Sequence, residues 1–190
     1  MVNIDHIRGL GGAAEHPVLA WDIGGTSVKL GWVQGGGLLA RTELAVDPGE
    51  ALSSLLERAA GVSRDLAKDI GAGSGAGLRV GMAFPGIIEP RTGRILSTPK
   101  GKFDDAAELD VLGWLRNRFG WEVVVNGDAN AALAGEWRFG AAVGVDNVVM
   151  MTLGTGIGTS VIVEGRPLRG VHGQAGILGG HLLAKLDGDP

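Results

Sequence analysis

The sequence predicts an α/β protein built on a mixed sheet, and three observations carry that prediction. Short apolar runs of strand character alternate with longer stretches of helical periodicity. Two glycine-rich loops, Asp22-Ile23-Gly24-Gly25-Thr26 and Leu153-Gly154-Thr155-Gly156-Ile157-Gly158-Thr159, each lie between two such runs. Glycine makes up 35 of 190 residues without a G-X-Y period, so the excess serves turns and backbone-lined surfaces.

The elements follow in order. Val18 to Trp21 leads into the first loop, and Val28 to Val33 leads out of it. Gly35-Gly36-Gly37 turns the chain into a third strand from Leu38 to Val46, which gives three consecutive antiparallel strands. Pro48 and Gly49 mark the start of a helix over Glu50 to Ile70. There Leu52, Leu55, Leu56, Ala59, Val62 and Leu66 recur at helical spacing.

Gly71 to Gly77 alternates glycine with alanine and serine and reads as a flexible connection. No strand precedes it and no helix follows, so it is not read as a dinucleotide loop. Leu78 to Phe84 is the next strand and ends at Pro85-Gly86; Arg91-Thr92-Gly93-Arg94 turns a small excursion. Ala106 to Phe119 carries Leu109, Leu112 and Leu115 as a helix, and Trp121 to Val125 is a short buried strand. An alanine-rich helix then runs from Ala129 to about Phe139. The order β-β-β-α-β-α-β-α is that of the actin-like, ribonuclease-H-like fold, in which helices cover a mixed sheet.

Beyond Gly140 the opening theme restarts, with a strand over Asn147–Leu153, the second glycine loop and a strand over Ile157–Val163. The expected organisation is a loose tail over residues 1–16, a first lobe over 17–140 and the start of a second lobe over 141–190. About fifty residues is too little to close a core, so an exposed apolar face and association through it are expected.

Composition narrows the classes of function. Lys+Arg 17 against Asp+Glu 21 gives a net charge of −4, with no basic block. Nucleic acid is therefore not expected as the main partner, because backbone-phosphate binding needs clustered Lys and Arg. Cysteine is absent, which removes disulfides and thiolate metal sites within this chain and fits a cytoplasmic protein. No apolar stretch reaches membrane-spanning length, and Met1 to His16 lack the apolar middle of a signal peptide.

Two glycine loops between strands suit a phosphate chain, because glycine permits positive φ and close approach of backbone N–H groups to an anion. Asp22, at the end of a buried strand, can hold Mg²⁺ through its waters, and Lys29 on the outgoing strand can offset phosphate charge. A plain β-hairpin turned by Gly24-Gly25 is the competing reading of the first loop. The alternate glycines of the second loop, with their threonines, exceed what a turn needs.

Asp128 sits where the Trp121 strand gives way to the Ala129 helix. A carboxylate there can accept the proton of a hydroxyl that attacks phosphorus, and it can equally cap the helix. His172 and His181 lie in the glycine-rich stretch Gly170 to Gly180 and its end, without a second ligand at zinc spacing. Arg166 and Arg169 read as solvated turn residues; His6 and His16 read as incidental.

Asp22-Ile23-Gly24-Gly25-Thr26-Ser27-Val28-Lys29, Gly127-Asp128-Ala129-Asn130-Ala131-Ala132 and Leu153-Gly154-Thr155-Gly156-Ile157-Gly158-Thr159 together resemble the ROK family of sugar kinases and sugar-responsive repressors. The resemblance covers about Val18 to Leu186. It implies an actin-like ATPase fold, phosphorylation of a sugar hydroxyl by Mg²⁺-ATP, and Asp128 as general base. It implies phosphate contacts at Asp22, Gly24, Gly25, Thr26, Lys29, Gly154, Thr155, Gly156 and Gly158. Sugar contacts fall on Gly86, Asn126, Gly127 and His181.

Three positions depart from the family's pattern. Gly127 stands where the family has the Asn that precedes its catalytic Asp, with Asn126 one place earlier. The segment Ala175-Gly176-Ile177-Leu178-Gly179-Gly180-His181 has one extra residue and no Glu, and Lys100 replaces an Asn expected after Ser97-Thr98-Pro99. The departures point away from glucose as the sugar. His181 corresponds to the histidine of the family's zinc site, whose cysteines this chain lacks, so zinc is not expected within it. Two other readings keep the fold: a non-catalytic fragment acting as a binding module, and a sugar-responsive regulator without a DNA-binding domain.

Overall fold

The computed structural model describes residues 16–71, 78–99, 101–154, 156–177 and 179, and the chain divides between Asp128 and Ala129 into two compact units. The first unit opens on three strands paired antiparallel, β1 (Val18–Ile23), β2 (Ser27–Gln34) and β3 (Gly37–Ala45). Helix α1 (Leu52–Asp69) and strand β4 (Arg79–Phe84) follow. A small hairpin of β5 (Ile87–Ile88) and β6 (Ile95–Ser97) leads to α2 (Val111–Phe119) and β7 (Glu122–Gly127). The five longer strands form one sheet in the order β3-β2-β1-β4-β7, with β4 parallel to both β1 and β7. The element order read from the sequence is thus the order observed, with the hairpin as the excursion around Arg91–Arg94.

Strand β1 buries Leu19, Trp21 and Ile23 and leaves Asp22 exposed, the alternation a half-buried strand requires. Helix α1 lays Leu52, Leu55, Leu56, Ala59, Ala60, Ser63 and Ala67 into the core. Ser63 is the polar member of that face. Its hydroxyl accepts the Trp21 Nε1–H at 2.9 Å and its carbonyl accepts the Trp32 Nε1–H at 3.3 Å. Two fully buried indoles thereby keep the hydrogen bonds that burial would otherwise remove. Trp121 meets Trp21 edge-on at 5.9 Å, and the Arg64 guanidinium covers the Phe119 ring at 4.3 Å.

Several boundaries differ from those read in the sequence, two of them for a clear local reason. Helix α2 begins at Val111 rather than Ala106, because Asp110 caps it, its carboxylate accepting the Gly113 N–H at 3.0 Å. The preceding residues form turns closed by Ala106 N–H to Phe103 and Glu108 N–H to Asp105. Strand β7 runs on to Gly127 instead of stopping at Val125, since its pairing with β4 continues through Ala83↔Asn126 and Phe84↔Gly127.

The second unit holds most of α3 (Asp128–Phe139) and three antiparallel strands, β8 (Val148–Leu153), β9 (Ile157–Val163) and β10 (Arg166–Pro167), in the order β10-β9-β8. Trp137 on α3 donates its Nε1–H to the Val145 carbonyl at 2.9 Å. Val149, Met151 and Leu153 alternate along β8 and are 73%, 61% and 78% exposed. Among the described residues no helix is long and apolar enough to cross a membrane. The tail expected over residues 1–16 and the glycine connection over 71–77 fall almost wholly outside the described residues.

Candidate functional site

Asp22, Ala83 and Asn126 occupy one register row across β1, β4 and β7. Strand spacing separates β1 from β7 by about 10 Å. Just beyond that row the chain leaves the sheet from each strand. It enters Gly24-Gly25-Thr26 after β1, Pro85-Gly86 after β4, and Asp128 at the head of α3 after β7. Asp22, the first glycine turn, Gly86, Asn126, Gly127 and Asp128 therefore share the carboxyl edge of the parallel strands, where sheets of this kind hold ligands.

In the first loop Gly24 is held to glycine by close backbone, and neither it nor Gly25 uses the positive φ that glycine permits. Gly24 donates its N–H to the Ser27 carbonyl at 2.9 Å, and a Cβ on Gly24 would stand 2.7 Å from that same oxygen. A Cβ on Gly25 would overlap the Lys102 ammonium and lie 2.6 Å from its Cε. Gly86 differs: its φ is 145°, and a Cβ there would run into the Ser97 carbonyl.

Asp22 and Lys29 are direct cross-strand partners in β1 and β2, and the ammonium lies 3.4 Å from Asp22 Oδ2. Both are largely exposed, so the pair orients two side chains at the turn rather than stabilising the fold measurably. Asp128 is exposed at the first position of α3, where a carboxylate complements the helix dipole. Gly127 before it is buried, and Asn126 is half-buried, its Oδ1 accepting the Gly127 N–H at 2.9 Å.

Sequence reasoning missed the segment between β6 and α2. Phe103 is 7% exposed, packs on Phe84 with ring centroids 5.5 Å apart, and holds a φ of 53°. A bulky residue in that region costs on the order of 1–3 kcal/mol and persists only where the surroundings dictate it. Asp105 lies two residues on and binds the first turn of α1, accepting the Leu52 N–H at 2.9 Å. Nothing in the local pattern signals these contacts, because both partners are distant in sequence.

In the second unit the loop after β8 closes through Gly154 N–H to the Gly156 carbonyl at 3.0 Å. Gly154, Gly156 and Gly158 again lack positive φ. A Cβ on Gly158 would run into the Thr152 hydroxyl and come within 3.3 Å of the Ala129 Cβ, while Gly154 and Gly156 face open space. Ser160, 3% exposed, donates to Asn130 Oδ1 at 2.6 Å, which ties the Asp-Ala-Asn motif of α3 to β9. Thr159 Oγ1 accepts the Gly179 N–H at 2.9 Å. Arg169 is no plain solvated residue: its Nη2 is buried and has no hydrogen-bond partner among the described residues. Thr155, His181 and Lys100 lie outside the described residues.

No group of three or more His, Asp and Glu side chains gathers around a common point among the described residues. A lone exposed carboxylate such as Asp22 is nevertheless the donor set with which Mg²⁺ is held, because that ion takes one or two carboxylates and draws its other ligands from water and substrate phosphates. Neither glycine of the turn carries a Cβ, and the room this leaves is taken up by the Ser27 carbonyl at Gly24 and by the Lys102 stem at Gly25.

Comparison with known proteins places this geometry. The sequence profile described as ROK family matches residues 18–190. A glucokinase from Halalkalibacterium halodurans is 32% identical over 174 residues, 83% of this chain and 47% of that protein. The ROK hexokinase from Thermus thermophilus superposes with a TM-score of 0.71 at 31% identity, over 92% of this chain and 54% of that one. A ROK family glucokinase from Streptomyces griseus, solved with glucose and AMPPNP, superposes with a TM-score of 0.66 at 30% identity, over 86% and 49%. The chain spans about half the length of these relatives.

Proposed function

The chain belongs to the ROK family and has its actin-like fold, and on that premise we propose that it forms the phosphate-gripping and proton-accepting part of an ATP-dependent sugar kinase. The observation that supports this most is the shared carboxyl edge, which gathers the Asp22 turn and Asp128 in one unit. The glucokinase of Streptomyces griseus, which matches over most of this chain, was solved with a sugar and an ATP analogue.

In this reading Gly154 to Gly158, in the second unit, is by itself a phosphate loop, and the terminal phosphate of ATP rests on the Gly24-Gly25-Thr26 turn. Lys29 offsets its charge and Asp22 holds Mg²⁺, which when bound neutralises negative charge on the phosphate oxygens. Asp128 accepts the proton of a sugar hydroxyl as that oxygen bonds to the γ-phosphorus. The bond from the γ-phosphorus to the bridging oxygen breaks, and ADP leaves. Gly127, in place of an amide side chain, withdraws one polar sugar contact, which favours a sugar or sugar derivative other than glucose. Association through the exposed side of β8 and a cytoplasmic location belong to the same proposal.

Calorimetry with Mg²⁺-ATP tests it, comparing this chain with Asp22→Ala. Binding that the substitution abolishes supports the cradle and justifies screening sugars for turnover dependent on Asp128. A chain that binds sugars yet never ATP would instead support the regulator reading, and one that binds neither would leave a fold without the family's chemistry.

A further inference from the structure

Lys102 is unlike the other basic residues near the site. It is half-buried, its stem lies in the space that a Cβ on Gly25 would fill, and its ammonium has no ion pair or hydrogen bond with another described residue. The carboxylate that leads into the turn, Asp22, is already engaged by Lys29. The turn thus carries two cations against one carboxylate.

The segment that presents Lys102 is held from several directions. Its own N–H binds the Pro99 carbonyl at 3.1 Å, and the Gly101 N–H binds Asp104 Oδ1 at 3.2 Å. Gly101 before it and Phe103 after it both have positive φ, 77° and 53°. Phe103 is locked against Phe84, the last residue of β4, and Asp105 is tied to the start of α1. A buried ring on one side and a helix cap on the other aim the intervening lysine across the glycine turn.

An ammonium held over the turn with no carboxylate partner among the described residues can donate charge-assisted hydrogen bonds to an arriving anion. We infer that Lys102 is a phosphate-binding residue, a second cation that meets the terminal phosphate oxygens of the phosphoryl donor over Gly25. The lysine stem crosses the space that a Cβ on Gly25 would fill. The inference rests on the reading of this turn as the donor site, so its test has to separate the two.

The experiment is calorimetric titration of the full chain with Mg²⁺-ATP and, separately, with inorganic tripolyphosphate. Lys102→Met keeps the stem and removes the charge; Lys102→Arg keeps the charge; Lys68→Met, on the exposed face of α1, is the control. Lys102→Met is expected to weaken both ligands by about tenfold or more, with Lys102→Arg recovering most of the loss. If wild type binds ATP and Lys102→Met binds it equally well, the assignment of Lys102 falls while the donor site stands. If wild type binds tripolyphosphate but not ATP, and Lys102→Met loses it, Lys102 stands and the ATP reading falls. Binding of neither ligand by wild type overturns both. Gly25→Ala covers the case in which Lys102→Met fails to unfold cooperatively. It keeps every charge and expels the stem, so unchanged tripolyphosphate binding in that variant also overturns the inference.

Discussion

The Asp105 carboxylate caps helix α1 from outside it, accepting the Leu52 N–H at 2.9 Å across a separation of 53 residues. Ala51, at the N-cap position, has no side-chain acceptor to offer. One contact therefore finishes the helix and fixes the loop that carries Phe103 and Lys102. Asp105→Ala is expected to lower stability by about 1–2 kcal/mol and to weaken Mg²⁺-ATP binding together with it. Urea unfolding and calorimetry on the same variant check the coupling. Lost stability with unchanged binding would separate the cap from the site.

Helix α1 offers two substitutions with opposite signs. Ser63→Ala removes the acceptor of the Trp21 indole and should cost about 1–3 kcal/mol. Gly61, in the same helix, has open space where a Cβ would go and no positive φ. Gly61→Ala should therefore stabilise by about 0.5–1 kcal/mol. Denaturant midpoints at unchanged slope would show both effects.

Asp128→Asn keeps the shape of the side chain and removes its capacity to take a proton. Sugar-dependent ADP release is expected to fall by about a hundredfold or more, while Mg²⁺-ATP affinity stays within about twofold. Turnover that survives the substitution would transfer the base role elsewhere. Affinity that falls with turnover would mark a binding role in its place.

The alternating row Val149, Met151 and Leu153 on β8 is expected to drive association. Met151→Lys should raise the concentration at which light scattering detects species larger than a monomer. A chain that is monodisperse before the substitution removes the expectation.

Periodicity and glycine placement were enough to read the order of elements along the chain, α1 and the three motifs. Strand alternation, helical spacing and turn chemistry are local properties, written within a few residues of one another. Trp21 and Ile23 announce their burial, and Asp22 between them announces its exposure, by position alone. Two glycine loops with an aspartate at a strand–helix junction also carried the family resemblance without any coordinates.

Tertiary structure decided what those glycines are for. Glycine permits left-handed backbone, but at Gly24 and Gly25 the fold has the Ser27 carbonyl and the Lys102 stem where a Cβ would stand. It also decided that Asp105 caps α1, that Ser63 serves two indoles, and that β7 reaches Gly127 so that Asn126 joins the row of Asp22. Each of these joins residues that are remote along the chain. Such contacts arise from sheet register and from packing against a shared core, and no local pattern of residue types encodes either.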